Sequence, residues 1–435
     1  MSKPFDLTRV IQERAVFTLF QPLVSVRRKA VFALEALSRG RDPDTGATIP
    51  PFELFSAARD PETLLALDRL CRERAVENFV PLYRTNKSLL LSMNIDAAIL
   101  HPGSVGSNHI LNLARAHDVH PNNIIIEIIE SRAGDADSLL EFVRTYAQYG
   151  FLIALDDVGA GHSNLDRIPM LKPNILKLDR SLVRDVHNQH HKQEVVAALA
   201  RLCSRVGAMV LAEGVEAPQE AMCCMSMGVE LFQGFYFGRP TEPSSHLYDF
   251  NRQAEVLVQH YKAHAIRRIN AGKARSARHR SLVRSMVQTL EKLSPEQFNP
   301  ALTGFLDQDP ALECVYVLDL AGVQLSDTIC NPMKLKQARR FLYEPAKKGA
   351  DHSMKEYYLP LQAGMQAYTT EPYISLASGN RCITLSVRFH DGLGSSRILC
   401  VDVSRERESD CQDCNACRRI EAGLSGQECA VAATG

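Results

Sequence analysis

The strongest constraint on this chain is a series of short apolar runs, each ending in residues that an apolar core would reject. Between Phe17 and Gly238 they read FTLFQPLVS, VFALEALSR, SLLLSMNI, NIIIEIIE, FLIALDDV, ILKLD, MVLAEGV and LFQGFYFG. Each is leucine-rich or β-branched and of strand length. Glu35, Asn94, Glu127, Asp156, Asp157, Lys177 and Glu213 sit at or near the run ends. Strands that are apolar on both faces belong to a parallel sheet covered on both sides. Polar residues at the C-terminal ends of such strands are where a β/α barrel assembles its active site. The expected fold is therefore α/β, a (β/α)8-type barrel.

Helical patterns alternate with these runs, over Thr63–Val80, Ser138–Tyr149 and Lys192–Val206, as βα units require. Residues 1–243 match the roughly 250 typical of a barrel domain. The competing architecture, an open doubly wound sheet, finds no GxGxxG or P-loop to support it. Residues 244–294 read as a connecting helix, with Leu282, Met286, Leu290 and Leu293 at helical spacing and a stretch dense in Arg, Lys and His from Arg267 to Arg284. A solvated connector is the expectation for that basic stretch, rather than a lipid- or nucleic-acid-binding one. Residues 295–408 change to strands and glycine turns (ECVYVLDLAG, PYISLASGNRCITLSVRF, SSRILCVDVS), which predict an antiparallel α+β module. Residues 409–435 form a cysteine-bearing tail.

Composition narrows the function classes. The formal net charge of the 435 residues is zero, which argues against general attraction to a nucleic acid polymer or a membrane surface while leaving a small anionic ligand open. No apolar run approaches the ~20 residues needed to span a bilayer. The start, MSKPFDLTRV, lacks the apolar core of a signal peptide. The twelve cysteines read mainly as thiols of a reducing compartment. The expectation is a soluble, cytoplasmic protein.

Carboxylates gathered at several strand ends repel one another unless cations compensate. A set of Asp, Glu and Asn with no His or Cys suits hard divalent cations, Mg²⁺ or Mn²⁺. Two such cations in one pocket clamp a phosphodiester for in-line displacement. Singly, an Asp-Asp pair is more often a strand-terminating turn, and a lone Glu a helix cap. The ordered joint occurrence outweighs those plainer meanings.

The motifs run in order: Gln21-Pro22 in FQPLV, Glu35-Ala36-Leu37 in VFALEALSRG, Asn94 in LSMNID, Glu127 and Glu130 in EIIES, and Asp156-Asp157 in LDDVGAGHSNL. Then follow Lys177 and Asp179 in ILKLD, Glu213 and Glu216 in AEGVE, and Gln233 and Pro240 in QGFYFGRP. In these the chain resembles the EAL domains, cyclic di-GMP phosphodiesterases built on a β/α barrel. The resemblance implies that Glu35, Asn94, Glu127, Asp156 and Asp157 hold two divalent cations, Glu213 joining them directly or through water. It implies that Lys177 holds the attacking water and Arg39 contacts a substrate phosphate. Gln21, Leu37 and Gln233 would grip the dinucleotide, Asp179 and Glu216 would stand on the substrate side, and Glu130 would support the catalytic set. The reaction would open cyclic di-GMP to linear pGpG. Ile129, Val158, His162 and Gly40 depart from the usual Thr, Phe, aromatic and Trp of the family. None of them is a metal ligand. Two alternatives remain: an inactive cyclic di-GMP receptor, and a redox or metal sensor with the barrel as its output.

The third segment resembles Cache or PAS-like sensor modules. Phe341, Tyr343, Tyr357, Tyr368 and Tyr373 would line a small pocket for an unknown small ligand, with Arg340 and Asp402 as polar anchors. For any one of these aromatics, a core role is the plainer meaning. A helix coupling such a module to a barrel predicts a homodimer. In the tail, Cys411, Cys414, Cys417 and Cys429 suit Zn²⁺ or an iron–sulfur cluster, or else belong to a disordered reduced tail. Cys71, Cys203, Cys223, Cys224, Cys314 and Cys400 read as small core residues.

Overall fold

The structure, a computed structural model, describes residues 5–95, 107–129, 136–160, 166–243, 251–307, 309–335 and 344–404. Glu130, His162, Arg340, Phe341, Tyr343 and the tail residues Cys411, Cys414, Cys417 and Cys429 lie outside them. The chain divides into two compact units, one running to Ala265 and the other starting at Ile266.

The first unit is a closed barrel. Its strands are β1 (Val16–Ser25), β2 (Ala30–Arg41), β4 (Leu90–Ile95), β5 (Ile124–Ile129), β6 (Leu152–Val158), β7 (Ile175–Leu178), β8 (Met209–Ala212) and β9 (Leu231–Phe232), with the short β3 (Thr48–Ile49) attached to β2. Strands β2, β4, β5, β6, β7, β8 and β9 pair in parallel, and β1 closes the ring by pairing with both β9 and β2. Both pairings of β1 are antiparallel. The sequence predicts an all-parallel ring, so the first strand is a departure. The linker of four residues between Ser25 and Ala30 explains it, because a parallel neighbour needs a crossover of a dozen residues or more.

Helices occur where the sequence places them, over Pro61–Thr85, Ala136–Gln148 and His190–Val206. The first begins with Asp60 accepting from the Thr63 amide at 2.8 Å and with Pro61 in the first turn, where no N–H is missed. It continues through Pro81, past the expected end at Val80. Leu82 and Tyr83 are buried in the core there, and that burial offsets the lost backbone bond.

Side chains alternate across each strand, and the two faces meet different surroundings. One face, with Leu91, Met93, Ile124, Ile126, Ile128, Ile153 and Leu176, packs against the helices in the main core. The other face forms a separate apolar cluster to which the ring strands contribute Leu23, Ala33, Ile125, Ala154, Ile175, Leu211 and Leu231, with Leu90 packed against it. This second cluster is the floor of the barrel interior.

The second unit holds an antiparallel sheet of β10 (Leu312–Leu318), β11 (Ile329–Cys330), β12 (Ala367–Thr369), β13 (Tyr373–Ile374), β14 (Arg381–His390) and β15 (Ser396–Ser404), in the order β11-β10-β15-β14-β12 with β13 beside β14. A long helix, Asn251–Leu290, contributes Ala254, Leu257 and Val258 to the barrel core. Its last turns give Val283, Met286 and Leu290 to the core of the second unit. Among the described residues, no helix is long and apolar enough to cross a membrane.

Candidate active site

Two residues further along each ring strand than the floor, the interior turns polar. Ala33 gives way to Glu35, Leu90 to Ser92 and then Asn94, Ile125 to Glu127, and Ala154 to Asp156. Likewise Ile175 gives way to Lys177, Leu211 to Glu213 and Leu231 to Gln233; on the reversed β1, Leu23 is followed inward by Gln21. A period of two therefore puts every one of these polar groups on the interior face, one layer above the floor.

Lys177 stands at the centre of the layer, fully buried. Its Nζ lies 2.7 Å from Glu127, 2.6 Å from Glu213 and 3.3 Å from Asp156. Burial opposes its charge, but the carboxylates of Asp156, Glu127, Glu213 and Glu35 overcome that penalty and hold the ammonium well above its ordinary value. Glu127 has a second partner, Ser92 Oγ, which donates to it at 2.5 Å. Glu35 accepts from Asn94 Nδ2 at 2.8 Å and from Gln233 Nε2. The same Gln233 amide donates to Gln21 Oε1 at 3.1 Å, and Gln21 donates to the Gly238 carbonyl at 3.0 Å.

Asp156 and Asp157 are neighbours, and a regular strand would send them to opposite faces. The β6–β7 register slips between Leu155 and Val158, and Asp157 takes a left-handed backbone with φ of 56°. This conformation is costly for a non-glycine residue, and such strain clusters at functional sites. Its result is a group of Asp156, Asp157 and Glu213 whose ligand oxygens all lie within 4.8 Å of one another.

Charge balance bears on what the group holds. Glu35, Glu127, Asp156 and Glu213 surround Lys177, and Asp157 stands beside Asp156 and Glu213. Burial, with the charges of Asp156 and Glu35, outweighs Lys177 and pushes the Glu213 carboxyl up to about 8. Burial and Glu35 likewise raise Glu127 well above the usual carboxylate range. Gln233 Oε1 is buried without a hydrogen-bond partner. Surplus negative charge, an all-oxygen donor set and an orphaned carbonyl oxygen fit hard divalent cations.

The layer opens into a cavity of about 220 Å³ lined by Gln21, Glu35, Asp156, Lys177, Glu213, Glu216 and Gln233, among others. A further cavity of about 510 Å³ is lined in part by Leu37, Arg39 and Asn94. Arg39 is half-buried and donates to the Ser38 carbonyl at 2.8 Å; burial lowers its pKa, with Glu35 opposing. Asp179 lines neither cavity. Its carboxylate accepts from the Ser181 amide at 2.9 Å and caps the helix Arg180–Val183.

Sequence reasoning passed over Ser92 and Arg180. Ser92 is two residues before Asn94, and the period of two was the signal for it. Arg180 lines the smaller cavity and pairs with Glu216 at 2.8 Å, a contact that nothing in the local pattern announces. At the departures from the family pattern, Val158 is buried, and the space a side chain would need at Gly40 is taken by Leu54 and Ile49.

Residues 6–240, just over half of the chain, match the EAL domain. The chain belongs to the EAL-domain family. One relative is the uncharacterized EAL-domain containing protein YkuI of Bacillus subtilis (strain 168), 24% identical over 400 residues that span 90% of this chain and 95% of YkuI. The crystal structure of the Bacillus subtilis YkuI protein with substrate c-di-GMP and calcium matches with a TM-score of 0.77 at 21% identity, over 93% of this chain and 100% of that one, a likeness of fold. The cyclic di-GMP phosphodiesterase PdeR of Escherichia coli (strain K12) is 28% identical over 236 residues, 54% of this chain and 35% of PdeR. The PaMucR phosphodiesterase in its c-di-GMP complex matches with a TM-score of 0.50 at 26% identity, over 56% of this chain and 98% of that one. The chain thus spans nearly all of YkuI but about a third of PdeR.

Proposed function

We propose that this protein is a divalent-metal-dependent phosphodiesterase that opens cyclic di-GMP to linear pGpG. The observation that carries the reading is the buried lysine set among Glu127, Asp156 and Glu213, with the surplus carboxylates of Glu35 and Asp157 in the same layer. Membership of the EAL-domain family and likeness to PdeR and PaMucR support the choice of substrate.

In this reading Glu35, Asn94, Glu127, Asp156 and Asp157 hold two cations, Mg²⁺ or Mn²⁺, with Glu213 completing the set. Bound cations would supply Lewis acidity toward the phosphodiester and an attacking water. Lys177, kept protonated by its carboxylate neighbours, donates to that water and opposes the charge that builds at phosphorus. Arg39 answers the substrate phosphate. Gln21, Leu37 and Gln233 hold the dinucleotide in place, Glu216 and Asp179 flank it, and Glu130 supports the set from outside the described residues.

The proposal extends to the rest of the chain. The segments 1–243, 244–294, 295–408 and 409–435 act as phosphodiesterase, connector, sensory module and tail. The eight free cysteines among the described residues accord with a cytoplasmic location. Ile266 and Ile269, exposed three residues apart on the long helix, accord with a homodimer, which light scattering tests. A zinc or iron–sulfur site at Cys411, Cys414, Cys417 and Cys429 rests on spacing alone; metal content and visible absorbance, compared with Cys414→Ser, test it.

The deciding experiment incubates the purified chain with cyclic di-GMP and Mg²⁺ or Mn²⁺ and separates the products by chromatography. The reading requires pGpG that vanishes on chelation and in Glu35→Ala. Nucleotide binding with no pGpG under either metal would refute it in favour of a receptor.

A further inference from the structure

The second unit contains a cavity of about 530 Å³, within the size range of sites for small organic ligands. Its inner wall carries Asp402 from β15, which is 2% exposed. Among the described residues no Lys or Arg pairs with this carboxylate. Its partners are hydroxyls: Thr384 Oγ1 donates to Asp402 at 2.7 Å, and the Tyr373 hydroxyl lies 2.6 Å from that same Thr384 oxygen. Thr384 has one proton and gives it to Asp402, so Tyr373 must donate to Thr384. The chain of donors is thus aimed at the carboxylate. Burial pushes that carboxyl up to about 7.

The remaining wall is aromatic and acidic. Tyr316, Tyr357 and Tyr373 present rings to the cavity. His352 adds no positive charge: Gln324 spends its amide N–H groups on Ser326, Thr328 and Ala346, so its Oε1 must accept from His352 Nε2 at 2.8 Å. Burial lowers the His352 pKa, so the ring stays neutral and its Nδ1 accepts from the Tyr357 hydroxyl at 2.7 Å. Of the ordinarily charged groups among the described residues of the lining, Glu344, Asp351, Glu356 and Asp402 are acidic and Lys355 is basic. Carboxylates and aromatic faces together attract cations, and ring faces do so most strongly for desolvated ammonium groups.

We propose that this cavity binds a small organic cation, an amine or quaternary ammonium compound, whose charged nitrogen seats against Asp402 among Tyr316, Tyr357 and Tyr373. The inference stands on the second unit alone and is independent of the reaction proposed for the barrel.

Isothermal titration of the full chain with choline, ethanolamine, putrescine and L-arginine tests it, alongside 3,3-dimethylbutan-1-ol, the uncharged carbon counterpart of choline, and succinate. At least one ammonium compound should bind, one per chain. Asp402→Asn should weaken it by about tenfold to a hundredfold, the range for a hydrogen bond to a charged group. If circular dichroism shows Asp402→Asn to be unfolded, the exposed pair Glu344→Gln and Glu356→Gln takes its place and must lower affinity for the cation. The proposal is overturned if no ammonium compound binds, if the alcohol or succinate binds as tightly as the cations, or if the folded variant binds cations as wild type does.

Discussion

Gln21 on the reversed first strand stands directly opposite Glu35 on the second, and the amide of Gln233 donates to both. Three strands thereby fix the orientation of one carboxylate. Asn94 takes its other oxygen at 2.8 Å.

Removing that bridge should cost activity without unfolding the protein. Groups that orient metal-binding side chains typically contribute about ten- to a hundredfold in metal affinity or activity. Gln233→Ala is expected to lower the rate of pGpG formation by that factor with an unchanged circular dichroism spectrum. A rate within twofold of wild type would show that Glu35 needs no such support.

Lys177→Met should act on stability as well as rate. It leaves Glu127, Asp156 and Glu213 without the ammonium that bonds to all three, and breaking a buried ion pair costs about 3–5 kcal/mol. Denaturant titration in the presence of a chelator should record a loss of this size, and hydrolysis should be abolished.

Stability of the cation-free protein should fall as pH rises from about 5 to 8. Burial pushes the folded Glu213 carboxyl up to about 8, whereas an unfolded glutamate titrates near 4.3, a value of about that size in model peptides. Between those values the folded state binds the extra proton, so each step up in pH favours the unfolded chain. Melting temperatures across that window with a chelator present should decline, and Glu213→Gln should flatten the decline. Because a ligand must shed its proton, divalent cations should bind more tightly as pH rises through the same window.

Gly40→Trp would restore the residue usual in the family, and it should harm this protein. A Cβ at Gly40 would come within 3.0 Å of Leu54 and 3.1 Å of Ile49. Overfilling a packed site costs about 1–3 kcal/mol. Denaturant titration should show a loss in that range, and a neutral result would mean that Leu54 moves freely.

Much of the barrel site was legible because period-two alternation carries both location and chemistry. Glu35, Glu127, Lys177 and Gln233 follow apolar floor residues by two positions, so the run that announces a strand also announces what its end presents. Two elements escaped that logic. The reversal of the first strand depends on the shortness of the link from Ser25 to Ala30, not on any residue in the strand. The co-location of Asp156 and Asp157 depends on a backbone angle at Asp157, which composition does not encode. In the second unit the aromatic residues were recognisable, but their division was not: Tyr357 and Tyr373 line the larger cavity, whereas Tyr368 lines another with Arg280 and Arg284.

The apolar floor below the polar layer makes the barrel a cup with a solid base. Leu23, Ile125, Ile175 and Leu211, all nearly inaccessible to solvent, leave no passage through the ring. Under the proposed reaction, whatever is made at Lys177 must depart through the mouth by which the dinucleotide arrives. Turnover is therefore one-lane traffic: a linear product lingering in the mouth blocks the next cyclic molecule, and the enzyme should be throttled by its own product.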